Sequence, residues 1–302
     1  MARTVGIIGM GHVGATIAHL MVAKGLTDTL ILTDSNTDKV NADTLDLKDA
    51  ASLLSTHTEI INGSISQMKD CDLVIAAVAR TDLIKPGETD RFFELKINVP
   101  LVKDSAQQLK VSGFHGILLV ITNPNDVITG LYQEYTGFPF NKVFGTGTYL
   151  DTARLKRNLG TTLAVDPRSI TGYMLGEHGD SQFAAWSTVR VAERPFSEFE
   201  VDGAQIEEAT RFGGQEVFAG KGYTNYAIAN AAVSLSEIIL SDAKSEAICS
   251  HYNKELNSYI STPAIVGRSG VEHDLELPLS ESEKEKLQQS AQTIKEKSEQ
   301  FS

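Results

Sequence analysis

Apolar side chains recur in two rhythms along the first half of the chain. Short β-rich runs predict strands at Thr4–Ile8, Thr29–Leu32, Leu73–Ala77, Gly116–Ile121 and Lys142–Gly145. Between them, helical spacing predicts His12 to Lys24, Asp38 to Leu54, Asp90 to Val111, Asp126 to Tyr135 and Tyr149 to Asn158. Strands alternating with helices of this length make βαβ units, hence a parallel sheet with helices on both faces. After about residue 160 the alternation weakens: strand-like Ser187–Val191 precedes helical stretches from Asp202 to Ala219 and from Asn225 to Leu240. Ser280 is a reasonable N-cap for a last helix reaching Phe301, which its Glu, Gln and Lys content marks as solvated. The expected fold class is therefore α/β, a Rossmann-type parallel sheet domain over residues 1–146 followed by a mixed α+β domain over 147–302.

Composition narrows the function classes. A 302-residue chain has room for two lobes, and 41% hydrophobic with 22% charged residues is ordinary for a globular protein. A formal charge of -12 repels phosphate backbones and anionic lipid, which argues against a nucleic-acid or membrane-surface role. Cys71 and Cys249 are too few for a disulfide framework or a cysteine-rich metal site, so no metal is expected and a reducing, cytoplasmic setting is the simplest. The apolar start Val5 to Met10 is broken by Gly11-His12, so it reads neither as a signal peptide nor as a membrane span.

Gly9-Met10-Gly11-His12-Val13-Gly14 follows the first strand and opens a helix. In that context the three glycines serve a tight turn, close backbone approach to a pyrophosphate, and helix–strand packing. The helix N-terminus adds unpaired N–H groups and partial positive charge. His12 and Val13 fill the variable positions and belong to the cofactor-contacting set, with no separate catalytic role for His12. Asp34 closes the second strand twenty positions after Gly14, where a carboxylate accepts from the ribose 2′-OH and repels a 2′-phosphate. The cofactor expected is NAD, not NADP.

Three further segments carry a resemblance. Ile121-Thr122-Asn123-Pro124-Asn125-Asp126-Val127, Gly145 through Arg154 (GTGTYLDTAR) and Gly176-Glu177-His178-Gly179-Asp180-Ser181 resemble the lactate/malate dehydrogenase family over nearly the whole chain. Asp166-Pro167-Arg168-Ser169, GDSQFAAWSTVR at 179–190 and Lys221-Gly222-Tyr223-Thr224 resemble one branch of it, the L-2-hydroxyisocaproate dehydrogenases.

The residue types fit reduction of a 2-oxo acid, which needs a hydride, a proton, a carboxylate clamp and charge at the carbonyl. His178 is the acid/base candidate, since imidazole titrates near neutral pH. Asp151 would hold its other ring nitrogen, and Arg154, three positions on along the same helix, offers a planar fork for a carboxylate. Taken singly these residues have ordinary readings. A lone histidine among seven is usually structural, and Asp and Arg three apart are usually a surface ion pair. Their joint occurrence favours catalysis.

The resemblance further implies that Arg91 closes over the substrate carbonyl. Asn98, seven positions later, keeps the family register. Asn123, before a proline that can be cis, is implied to bond the substrate oxygen and orient the nicotinamide. Ile84 stands where lactate enzymes usually have glutamine and malate enzymes arginine, and Thr224 is a second pocket wall. Isoleucine offers a second carboxylate no partner, whereas each buried CH₂ is worth about 0.8 kcal/mol. A branched apolar 2-oxo acid such as 2-oxoisocaproate is therefore expected. The loop Ala79–Thr89, longer than usual in the family, is a candidate lid.

Alternatives are an L-lactate dehydrogenase, a malate dehydrogenase, an NAD-dependent glycosidase, whose metal neither cysteine is placed to hold, and a non-catalytic NAD-binding sensor. The resemblance also implies L stereochemistry and a homotetramer or dimer.

Overall fold

The apolar runs of the first half become the centre of a nine-stranded sheet. The computed structural model describes residues 2–80, 83 and 91–301; Ile84, most of the loop Ala79–Thr89 and the side chain of Arg91 lie outside the described residues. The chain runs through β1 (Thr4–Ile8), α1 (His12–Ala23), β2 (Thr29–Thr33), α2 (Thr37–Ala51), β3 (Glu59–Asn62), β4 (Leu73–Ala76), α3 (Arg91–Ser112), β5 (Ile117–Val120), α4 (Asn125–Thr136) and β6 (Val143–Gly145). These six strands are parallel, in spatial order β3-β2-β1-β4-β5-β6. The order reverses between β1 and β4, and in open parallel sheets ligands bind outside the carboxyl ends of the strands at such a reversal.

Burial explains why these strands were legible. All four residues of β4 and all four of β5 are buried, so both faces select apolar side chains. On one face Ile7, Leu30, Leu32, Ile75 and Leu119 pack with α1 and with the later helix Tyr226–Ser241; on the other, Val74, Leu118 and Val120 pack with α3 and α4. Strand β3 escaped the sequence reading because it is a sheet edge with exposed Glu59 and Asn62 at its ends and only Ile60 fully buried.

The second half contributes α5 (Tyr149–Leu163), the short strands β7 (Ile170–Thr171), β8 (Met174–Leu175), β9 (Phe183–Ala184), β10 (Arg190–Val191) and β11 (Arg194–Pro195), then α6 (Gly203–Lys221), α7 (Tyr226–Ser241), β12 (Ser245–Asn253), β13 (Ser258–Gly267), β14 (Gly270–Asp274) and α8 (Glu281–Ser298). The strand expected at Ser187–Val191 is corrected: Trp186–Thr188 is a 3₁₀ turn in which the Thr188 hydroxyl donates to the Ala185 carbonyl at 2.7 Å, and only Arg190–Val191 pairs. The three strands β12, β13 and β14 form an antiparallel meander that joins the parallel sheet where Ser250 pairs with Gly145. They went unforeseen because Ser250, His251, Ser258, Ser261 and Thr262 are buried in them, and polar side chains break the apolar rhythm.

Helix α8 departs from expectation too. Ser280 caps it with reciprocal bonds to Glu283, as foreseen. Yet Ala291 and Ile294 are buried in the core, and the helix is no mere solvated appendage.

Candidate active site

The glycine turn follows β1, at the carboxyl end of the strand where the order reverses. Gly9 has φ +97, a left-handed value that a side chain resists, and a Cβ on Gly14 would lie 1.9 Å from the Gly9 carbonyl oxygen. A Cβ on Gly11 would meet nothing within 4 Å, so that side of the turn is open. Gly11 caps α1 without a side chain, leaving the N–H groups of the first turn for an anion. Asp34 crosses from β2: one oxygen accepts the Met10 N–H at 2.5 Å, the other the Asn36 N–H at 2.8 Å. The expected carboxylate is thus tied directly to the turn. Val13 packs against the core and stays half-buried. His12 stacks on Tyr223, ring centroids 3.6 Å apart and 4° from parallel. The Asn225 amide donates to Thr16 Oγ1 at 2.9 Å, so the α6–α7 junction that carries Thr224 is docked on the start of α1.

The second group is built on α5 and the loop after β8. Asp151, 1% exposed, bridges two partners: its Oδ2 lies 2.5 Å from His178 Nδ1, and its Oδ1 accepts from Arg154 at 2.8 Å. Burial alone would raise the Asp151 carboxyl, but the His178 ring and the Arg154 guanidinium hold it below the ordinary aspartate value. This is no surface ion pair, because Arg154 keeps only 14% side-chain exposure. Gly214 of α6 makes room for it: a Cβ there would come within 3.1 Å of the guanidinium.

Asn123 lies between β5 and α4, joined to Pro124 by a cis peptide bond. Asn98, 3% exposed on α3, donates to the Asn123 carbonyl at 3.0 Å and accepts the Arg80 N–H at 3.2 Å. One buried amide therefore ties the start of the candidate lid to Asn123.

Several site residues were not foreseen. The backbone N–H of His178 donates to Asp126 Oδ2 at 2.7 Å. Glu177 pairs with Lys297 of α8 and accepts from Ser181 Oγ at 2.7 Å, while its own N–H donates to Ser290 Oγ at 2.8 Å. The only sequence signals were an acid in the first turn of α4 and a polar stripe on α8, and neither names a partner 52 or 120 residues away.

With this geometry in view, comparison with known proteins decides the family. The NAD binding domain profile of lactate/malate dehydrogenase matches residues 3–145, and the profile of the alpha/beta C-terminal domain of lactate/malate dehydrogenase matches residues 148–302. The chain belongs to the lactate/malate dehydrogenase family. L-lactate dehydrogenase 1 of Bifidobacterium longum subsp. longum is 36% identical over 304 residues, which cover 96% of this chain and 95% of that one. The minor L-lactate dehydrogenase of Enterococcus mundtii, solved with ligands bound, superposes with TM-score 0.93 at 32% identity over 100% of this chain and 99% of its own. A Cryptosporidium parvum lactate dehydrogenase, solved with lactic acid and nicotinamide adenine dinucleotide, gives TM-score 0.93 at 26% identity, covering 99% and 98%.

As a member of this family the chain is an NAD-dependent 2-hydroxy acid dehydrogenase with a Rossmann-type first half. The glycine turn fits NAD on its own geometry: the open side at Gly11, the uncapped helix start and the Asp34 carboxylate match a pyrophosphate and an unphosphorylated ribose. Among the described residues no helix is long and apolar enough to cross a membrane, and no cluster of three or more His, Cys, Asp or Glu could hold a metal ion.

Proposed function

We propose that the chain interconverts L-2-hydroxy acids and 2-oxo acids with medium-sized, branched apolar side chains, 2-oxoisocaproate being the representative. The observation that carries the chemical half is Asp151 bridging His178 and Arg154 within one buried cluster. Bound NADH supplies the hydride. With Asp151 at Nδ1, that nitrogen keeps its proton and Nε2 is the atom that exchanges a proton with the substrate oxygen. In reduction His178 starts as imidazolium and gives its Nε2 proton to the forming alkoxide; in oxidation it takes that proton back. Arg154 clamps the substrate carboxylate, held at its required angle by Asp151. Asn123, steadied by Asn98, donates to the substrate oxygen, and Arg91 brings positive charge to the carbonyl.

Ile84 carries the substrate half. It gives a second carboxylate no counter-charge, and a branched four-carbon side chain gains about 2 kcal/mol over methyl in an apolar pocket. Thr224 forms a second wall, on a segment fixed to the cofactor turn through Tyr223 and Asn225. A second reading, reduction of pyruvate, is favoured by the names of the relatives, which are L-lactate dehydrogenases at 36% identity. Steady-state kcat/KM for 2-oxoisocaproate, pyruvate and oxaloacetate separates them. The expected order is branched acid, then pyruvate, then oxaloacetate. A highest value for pyruvate selects the second reading, and one for oxaloacetate removes both.

We propose a reducing cytoplasmic setting and a homotetramer or dimer, with small acids and NAD as partners. The free thiols of Cys71 and Cys249, both buried, support the reducing setting.

A further inference from the structure

We propose that Asp126 is a positioning residue for His178, holding the backbone of the acid/base residue and, through its negative charge, favouring the imidazolium that starts reduction. The inference rests on the reading of His178 given above.

Asp126 is 1% exposed and stands in the first turn of α4, three residues after Asn123. Its Oδ2 accepts the His178 N–H at 2.7 Å, and its Oδ1 faces Ser261 Oγ of β13 at 3.4 Å. One helix start thus fixes two groups of the proposed site: Asn123 through the chain itself and His178 through this carboxylate. The helix dipole favours a negative charge in the first turn.

A purely structural acceptor at this place would not need to be acidic. The neighbours that bond the Asp126 carboxylate are a backbone N–H on one oxygen and a serine hydroxyl on the other; an asparagine would accept the N–H with its oxygen and donate its NH2 to the serine oxygen, without the penalty of a buried charge. What a carboxylate adds is an electrostatic field. Burial raises the Asp126 carboxyl to about 6, against the lowering effect of Ser250 on β12 and of the His178 N–H, while the Glu177 charge adds to the rise. Glu177 is itself paired with Lys297 of α8, and Asp151, at Nδ1 of the ring, is shared with Arg154 of α5. The group therefore ionises within reach of working pH, beside the residue whose proton moves. By linkage, whatever the imidazolium does for the Asp126 carboxylate the carboxylate does for the imidazolium.

The test is Asp126→Asn in the full chain, with Ser261→Ala as a second variant that removes one hydrogen bond from the carboxylate and so weakens its charge near neutral pH while keeping the group itself. Kcat and KM for 2-oxo acid reduction are followed from pH 5.5 to 9.5, with NADH binding by fluorescence and thermal unfolding alongside. For Asp126→Asn the expectation is a kcat lowered about tenfold with KM and NADH affinity within about twofold, and an alkaline limb moved about one unit to lower pH. Ser261→Ala, which raises the carboxyl further, should move that limb the same way by less. A profile superimposable on the parent in whichever variant folds, with only thermal stability lowered, overturns the proposal. His178→Asn tests the underlying reading separately: if it retains turnover, His178 is not the acid, whatever Asp126 does.

Discussion

Asp151 touches His178 and Arg154 at once, 2.5 Å from the imidazole and 2.8 Å from the guanidinium, so one buried carboxylate sets the geometry of the proton donor and of the carboxylate clamp together. Replacing it with asparagine keeps the shape but lets the imidazole take the wrong tautomer. Asp151→Asn should lower kcat by about four orders of magnitude, as in a hydrolase His–Asp pair, and should also raise KM for the 2-oxo acid because Arg154 loses its anchor. NADH affinity should stay within about twofold by fluorescence titration. A loss confined to NADH binding would contradict this division of labour.

Asp34 is expected to govern cofactor choice through the same oxygens that hold Met10 and Asn36. Losing a hydrogen bond to a charged group costs about 1.5–3 kcal/mol, so Asp34→Ala should weaken NADH binding about tenfold to a hundredfold. NADPH, no longer repelled, should gain relative to NADH. Parallel titrations with both cofactors check this, and an unchanged ratio would remove Asp34 from the specificity argument.

A pH effect is expected away from the candidate site. His251 is buried, with Nε2 2.8 Å from Asp274 Oδ1. Burial opposes its charge, but Cys249 and Asp274 outweigh that and push His251 up to about 10, above the ordinary value of about 6.5. A group raised on folding contributes stability that is fully present below its unfolded value and lost as pH rises through the folded one. The stability gap between the parent and Asp274→Asn should therefore be largest near pH 6, about 3 °C in Tm, and should close towards pH 10. A gap independent of pH would show that the two side chains are not an ion pair.

The parallel half of the fold was readable because its strands are buried on both faces, so apolar runs and helical spacing follow one another without interference. The meander β12–β14 was not, since Ser250, Ser261 and His251 interrupt its pattern, and those are the residues the centre of the molecule requires. Much the same division runs through the site. Gly9, Gly14, Asp34, Asp151 and Arg154 lie within local motifs whose spacing states their geometry. The carboxylate of Asp126 and the Glu177–Lys297 pair act across 52 and 120 positions, and no local pattern marks such contacts. Asn98 falls between: register alone placed it, and its bonds to Asn123 and Arg80 supply the reason.

Whether His178 is the acid that completes 2-oxo acid reduction is tested most directly by His178→Asn, assayed for 2-oxoisocaproate and pyruvate reduction and for NADH binding in the same preparation. The expected result is a kcat lower by about three orders of magnitude with NADH affinity within about twofold of the parent. A variant that keeps more than about a tenth of the parent rate would contradict the assignment, because general acid catalysis is worth at least about a hundredfold.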